Sequence, residues 1–415
     1  MVFAKNAESL STKGRAQVSW LSEVCVQAWD AIVVGGSVAG SASAAALAAQ
    51  GLRVLLCEKA PGRDKACGEG LLPAGVSALE RLGLSEALRR ARGEPFSGVS
   101  FALEQQIAQA QFAHGTAFGV RRQRFDAALL ELAAARPGVT LRERVIVDDL
   151  WRDEAGRVGG VVFSGGEIAR SVLVVGADGL GSKIRARAGL DLGLPRRKRY
   201  GLRVHFGVRG GLPFGNQVRV LLDHPGEFYV TPVAPDQVQV AFLGEDLAAR
   251  GFSRQSFAAC VLKHPVLGPL LEGALALGPA MGAGPFGRRA RAVVADGLAL
   301  VGDAAGYVDA VTGEGMELAL RSAEVLGLHA ARAVAEGARA GSLRSYAKAR
   351  AAIVRDPDRL TRLVLWMQRY PFVARRGIRA LQKSPDLYQK LLSVQGGEAP
   401  LSSLRLGDWL RLVAG

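Results

Sequence analysis

Four cysteines, Cys25, Cys57, Cys67 and Cys260, are all that the 415 residues contain. They are scattered, with no C-x-x-C pair and no histidine at zinc-ligand spacing. That excludes a disulfide framework and a metal site of that kind, and points to a reducing, cytoplasmic setting. Negative charge is short too: 38 Asp and Glu stand against 53 Lys and Arg, a formal charge of +15. Such an excess favours anionic partners. The basic residues form no reading module, however, and no cationic block longer than Arg196-Arg197-Lys198-Arg199, so nucleic acid is not an expected partner. Tandem repeats and low-complexity linkers are missing as well. With 49% hydrophobic and 22% charged residues the chain is globular, and long enough for two or three domains. Residues 31 to 52 carry no charge but are broken by glycines, which argues against a membrane span. Residues 1 to 28 lack the continuous apolar core of a secretory signal and are expected to be a tail.

What is there reads as an interleaved α/β protein. Asp30 to Val34 is a β-branched strand, followed by a glycine turn, an alanine-rich helix ended by Gly51, and a second strand from Arg53 to Cys57; this is a βαβ unit. Ser171 to Gly176 and Leu298 to Gly302 are further strands ending in glycine-rich turns. Residues 145 to 151 and 158 to 163 read as a hairpin leading into Val172 to Val175. In the middle, Leu202 to Val208, Gln217 to Leu222, Glu227 to Val230 and Gln237 to Phe242 carry patterns that suit an antiparallel sheet. From Glu314 to about residue 340, and from Leu343 onward, helical spacing dominates, with Pro357, Pro371 and Pro385 as interruptions.

Three motifs carry chemistry. The first turn, Gly35-Gly36-Ser37-Val38-Ala39-Gly40, is a dinucleotide fingerprint with Ser37 in place of the usual second glycine. Gly35 allows the tight turn, the middle position admits a pyrophosphate, and Gly40 allows close helix packing. Glu58, with Lys59 beside it, ends the second strand 18 residues after Gly40, where an acid can bind both hydroxyls of an adenosine ribose. The second motif is Gly176-Ala177-Asp178-Gly179-Leu180-Gly181-Ser182-Lys183-Ile184-Arg185, and the third Leu300-Val301-Gly302-Asp303-Ala304-Ala305-Gly306. Together they resemble the hallmarks of the FAD-dependent oxidoreductases of the p-hydroxybenzoate hydroxylase type, a group that includes flavin monooxygenases, geranylgeranyl reductases and flavin halogenases. The resemblance covers roughly residues 29 to 330.

The resemblance implies FAD as cofactor. Gly35, Ser37, Gly40, Glu58 and Lys59 would hold its ADP half. Arg122, with Arg121 and Arg124 as rivals, would reach the ribityl-pyrophosphate region. Asp178 and Gly179 would lie close to the pyrophosphate, with Gly302 and Asp303 at the ribityl chain. In Thr312-Gly313-Glu314-Gly315-Met316, Gly313, Glu314 and Gly315 open a helix whose amides would face the flavin pyrimidine edge, where reduction gathers negative charge. Cys67, in Lys65-Ala66-Cys67-Gly68-Glu69-Gly70, is similar to a geranylgeranyl-reductase cysteine beside the flavin, where a thiol could donate a proton; the plainer reading, and the favoured one, is a small buried side chain lining the cofactor site. No metal site is expected.

The implied architecture is a Rossmann-like FAD-binding domain (29 to 200 and 285 to 340, with part of the substrate region inserted around 75 to 120). It interleaves with an antiparallel substrate sheet (201 to 284) and is followed by a helical region (341 to 415). The implied function is an FAD-dependent monooxygenase of secondary metabolism. It would use O2, with NAD(P)H as transient reductant or an external reductase, on a small aromatic or unsaturated apolar substrate. An oxygen-independent reductase of a carbon-carbon double bond and a non-catalytic flavin sensor or electron carrier are the alternatives. The reductases' Tyr-x-Trp-x-Phe-Pro motif is replaced by Glu227-Phe228-Tyr229-Val230-Thr231-Pro232, and Trp151, Trp366 and Trp409 stand outside any halogenase Trp-x-Trp motif. His205, Tyr229, Pro232 and Phe242 are the substrate-side candidates. The stripe of Leu360, Leu363, Val364, Trp366 and Met367 beside Arg359, Arg362 and Arg369 could line a substrate site or associate weakly with a membrane surface.

Overall fold

The structure is a computed structural model describing residues 29–212 and 215–414; the expected tail and Cys25 lie outside the described residues. In chain order its first unit is β1 (Trp29–Val34), α1 (Val38–Ala48) and β2 (Val54–Glu58). Next come β3 (Gly98–Leu103), β4 (Gln106–Gln111), α2 (Arg122–Ala134) and β5 (Val139–Glu143). β6 (Val147–Arg152), β7 (Val158–Phe163) and β8 (Ile168–Gly176) follow. The middle holds β9 (Tyr200–Gly207), β10 (Gln217–Asp223), β11 (Gly226–Ala234) and β12 (Gln237–Gly244). Last are β13 (Leu298–Leu300), α3 (Gly315–Ala335), α4 (Arg344–Gln368), α5 (Pro371–Lys383), α6 (Pro385–Gln395) and α7 (Leu406–Ala414).

The first sheet has the parallel core β13-β8-β1-β2-β5, extended from β8 by the antiparallel pair β7 and β6. β2 is buried throughout, and so is Ala31–Val34 of β1; parallel strands covered on both faces read as continuous apolar runs. α1 is buried from Val38 to Leu47, which accounts for the uncharged stretch. Its small residues let α3 lie close: a Cβ on Gly327 would come within 2.8 Å of Ala46 Cβ. The second sheet runs β9-β12-β11-β10-β3-β4, antiparallel except where β10 meets β3, so a segment from before α2 sits beside strands from after residue 216.

Two expectations of the helical region are corrected. Pro357 does not interrupt α4, which runs through it. A proline there forfeits one backbone bond, but α4 is anchored on both sides of it: Tyr346 Oη donates to Leu300 O (2.6 Å) and Thr361 Oγ1 to Glu314 Oε1 (3.0 Å). Pro371 and Pro385 instead open α5 and α6, where the missing N–H costs nothing. α3 ends at Ala335, short of 340, because Gly337 takes φ +80°. Among the described residues no helix is long and apolar enough to cross a membrane.

Candidate functional site: a dinucleotide turn, a cation hub and a cleft

At the end of β1 the chain turns so tightly that two glycines are obligatory. Gly35 has φ +105°, and a Cβ there would stand 2.5 Å from Ala177 O; on Gly40 it would stand 1.6 Å from Gly35 O. The Glu58 carboxylate closes the base of the turn, accepting from Gly36 N (2.6 Å) and Ala60 N (2.7 Å). Lys59 is exposed. Ser37 is the N-cap of α1, and its hydroxyl donates to Asp126 Oδ2 at 2.7 Å.

Arg122 is the hub. Its guanidinium binds Asp126 through Nε (2.8 Å) and Nη2 (3.1 Å), and also reaches Ser37 Oγ (3.1 Å) and Cys67 Sγ (2.9 Å). Lys65 Nζ donates to the same Asp126. Burial alone would raise the Asp126 pKa, but Arg122 and Lys65 hold it well below the usual carboxylate range. Arg121 turns instead toward Asp64, Glu69 and Gln237, and Arg124 is exposed, so of the three rivals Arg122 sits among the turn residues. Cys67 is pushed up to about 11 by burial, against the pull of Arg122, and its thiol donates to Lys65 O at 3.6 Å.

The Cys67 segment is pinned to the second sheet by Glu69, Arg203 and Gln239, which sequence reasoning gave no role, and by His205, which it placed on the substrate side instead. Glu69, fully buried, accepts from Arg122 N (2.8 Å) and His205 Nε2 (2.6 Å). Arg203 Nη1 donates to His205 Nδ1 (3.0 Å), which fixes the proton on Nε2. Arg203 also donates twice to Lys65 O, and Gln239 Nε2 to Cys67 O (2.8 Å). The available signal was Arg203 and His205 at i, i+2 on a strand whose alternate positions, Leu202, Val204 and Phe206, are apolar.

In the second motif Asp178 faces its own backbone, accepting from Ser182 Oγ (2.5 Å) and Ile184 N (3.1 Å). Arg185, 1% exposed, couples this motif to the third. It donates to Asp191 Oδ1 (2.8 Å), Leu180 O (3.0 Å), Ala304 O (3.0 Å) and Asp303 O (3.3 Å). The Asp303 carboxyl is raised by burial, opposed by Arg122, Arg185, Arg350 and Lys65.

Between the sheets lies a cleft walled by Cys67, Gln239, Tyr229, Asp303, Tyr307 and Gly313 among others. Of the substrate-side candidates Tyr229 faces it, its hydroxyl donating to Val311 O at 2.6 Å. His205, Pro232 and Phe242 do not line it. Alternation decides this: Ala241 and Leu243 face the cleft, whereas Phe242 packs on Phe228 and Phe252 behind the sheet. At Phe101, Val311, Thr312 and Gln395 the cleft adjoins an apolar cavity among α4, α5 and α6. Gly313 borders the cleft, but Glu314 and Gly315 face a separate cavity. Glu314 accepts from Thr312 and Thr361 and is pushed up to about 8 by burial and then by Glu317.

Residues of this kind fit FAD. Gly313 (φ +73°) on the cleft wall and Gly179 (φ +83°), next to the Asp178 that abuts Gly35, leave open space in which a Cβ would meet nothing within 4 Å, so a ligand can approach the backbone closely there. Turn, acid, cation hub and apolar cleft define a flavin-dependent oxidoreductase. The chain belongs to the FAD binding domain family, whose model matches residues 28–243, and it is a flavoprotein of the p-hydroxybenzoate hydroxylase type. It is similar, at 29% identity over 342 residues, to a digeranylgeranylglycerophospholipid reductase of Methanothermobacter thermautotrophicus, with 74% of this chain and 79% of that protein covered. It is 26% identical over 315 residues to the 3-demethoxyubiquinol 3-hydroxylase of Escherichia coli, covering 71% and 77%. A flavoprotein/dehydrogenase from Cytophaga hutchinsonii shares the fold, with TM-score 0.78 at 21% identity over 89% of this chain and 93% of that one.

Proposed function

We propose that the protein is a monooxygenase that inserts oxygen into an aromatic or unsaturated head group carrying a long apolar tail. The observation behind this is the apolar cavity that continues the cleft into α4, α5 and α6. A small polar substrate has no use for such an extension, whereas a tail would fill it and exclude water from the head. Bound FAD would supply the redox chemistry, taking electrons from NAD(P)H or a partner reductase and activating O2. Gly35, Ser37, Gly40 and the α1 N-terminus are the residues to hold its pyrophosphate, Glu58 its ribose, and Arg122, Gly179, Gly302 and Asp303 its phosphates and ribityl chain. The Gly313 backbone would orient the ring. The Arg203–His205–Glu69 chain keeps the Cys67 wall fixed while substrates exchange.

A reductase of a carbon-carbon double bond is the second reading. It is favoured by the Cys67 thiol on the cleft wall and by the name of the methanogen relative. Against it, the Cys67 proton is directed at Lys65 O and its sulfur accepts from Arg122, an arrangement that suits a packed wall. The test is stoichiometry: FAD-loaded protein, NAD(P)H and alkyl-substituted phenols of increasing chain length. The proposal expects O2 and NAD(P)H consumption to be stimulated and to couple one to one with product, with KM falling as the chain lengthens. Turnover indifferent to chain length would remove the argument from the cavity.

A further inference from the structure

Behind the loop that carries Asp303 is a separate cavity, walled by the first turns of α3, the middle of α4 and the strand Arg288–Arg289. It shares Asp303 and Tyr307 with the cleft and also takes in Gly302, Glu314 and Gly315, so it backs onto the loop that would hold the ribityl chain, while none of Gly35, Ser37, Gly40, Glu58 or Arg122 lines it.

Its lining is unusual in charge. Arg350, 8% exposed, makes no hydrogen bond or ion pair with a described residue, and its Nε is buried without a partner. Arg288 Nε and Ser322 Oγ are likewise buried and unpartnered. Arg289 and Arg362, both exposed, stand at the rim. Of the lining acids, Asp309 is committed to Arg199 (3.0 Å), and Glu314 at about 8 is mostly neutral at pH 7. Asp358 pairs with Arg362 at 3.9 Å, which leaves Asp303 to oppose Arg288, Arg289 and Arg350. A buried guanidinium with no acceptor is strongly unfavourable, and guanidinium forks match tetrahedral oxyanions.

We propose that this cavity is a binding site for a phosphate-type dianion, held by Arg350 and Arg288 with Arg289 and Arg362 at its mouth. The cavity opens to solvent past the exposed Arg289 and Arg362, so the anion can carry an attached group. Inorganic phosphate, diphosphate and the 2′-phosphate of NADPH share the chemistry. A dianion here would be felt at Asp303, on which Arg350 acts electrostatically, and so would connect this site to the cleft.

The test is calorimetric titration of FAD-loaded protein with inorganic phosphate, pyrophosphate, 2′-AMP and 5′-AMP, without turnover, so that it stands apart from the oxygenase reading. One equivalent of anion should bind. Arg350→Gln should weaken binding tenfold or more, with part of the affinity restored in Arg350→Lys. If Arg350→Gln does not fold, the rim variants Arg289→Gln and Arg362→Gln should each weaken binding several-fold. Preference for 2′-AMP over 5′-AMP, lost in the variants, would mark the nicotinamide cofactor as the source; preference for phosphate or pyrophosphate would mark a free anion. Three results would overturn the proposal: no saturable binding, equal binding in every variant, or binding to apoprotein that disappears when FAD is loaded.

Discussion

Arg185 joins two motifs that lie 118 residues apart, through its bond to Asp303 O. Arg185→Met should cost about 3 kcal/mol of stability, the usual scale for breaking a buried ion pair from one side, and should release FAD more readily. Urea unfolding and the flavin-to-protein absorbance ratio check both; a stable, fully yellow variant would contradict the role. Glu314 makes a pH prediction. Its folded-state pKa of about 8 lies above the ordinary 4.5, so the folded protein holds this proton where the unfolded chain has lost it. Stability therefore falls as pH climbs from about 4.5 to about 8, and Glu314→Gln should flatten that slope, gaining on the wild type at pH 9 and matching it near pH 4. Parallel slopes would show that Glu314 is not the titrating group. Gly35, Gly40 and Glu58 were legible in the sequence because each answers a local backbone demand. Glu69 was not, because its partner His205 is 136 residues away.

At the scale of elements, the prediction concerns the cavity wall. Leu391→Trp on α6 should plug the apolar extension, cutting kcat/KM for long-chain substrates tenfold or more, about 1.4 kcal/mol, while sparing short-chain ones. An equal loss for both would mean the variant had merely disturbed packing. The βαβ unit was legible in its uncharged β-branched and alanine-rich runs punctuated by Gly35, Gly40 and Gly51, and the middle strands in their alternation. The cavity was not. Leu360, Leu363, Val364 and Met367 read equally well as a packed helix face, and only the arrangement of α5 and α6 against α4 leaves the space they line. Pro357 misled for a related reason: tertiary bonds on either side of it outweigh its local preference.

Across the whole molecule, a charge of +15 coexists with exposed aromatics on the C-terminal helices, Trp366 at 53% and Phe372 at 64% exposure. That combination favours weak association with anionic surfaces. Vesicles containing anionic lipid should co-sediment the protein at low salt and release it at high salt; equal binding to neutral vesicles would remove the electrostatic part. The central claim is oxygen insertion, and isotope labelling reaches it most directly. The protein would be supplied with FAD, NAD(P)H, an alkyl-substituted phenol and ¹⁸O2, and the product weighed by mass spectrometry. The account predicts one ¹⁸O atom per product and no turnover without oxygen; a product gaining two hydrogens and no label, formed equally well under nitrogen, would contradict it.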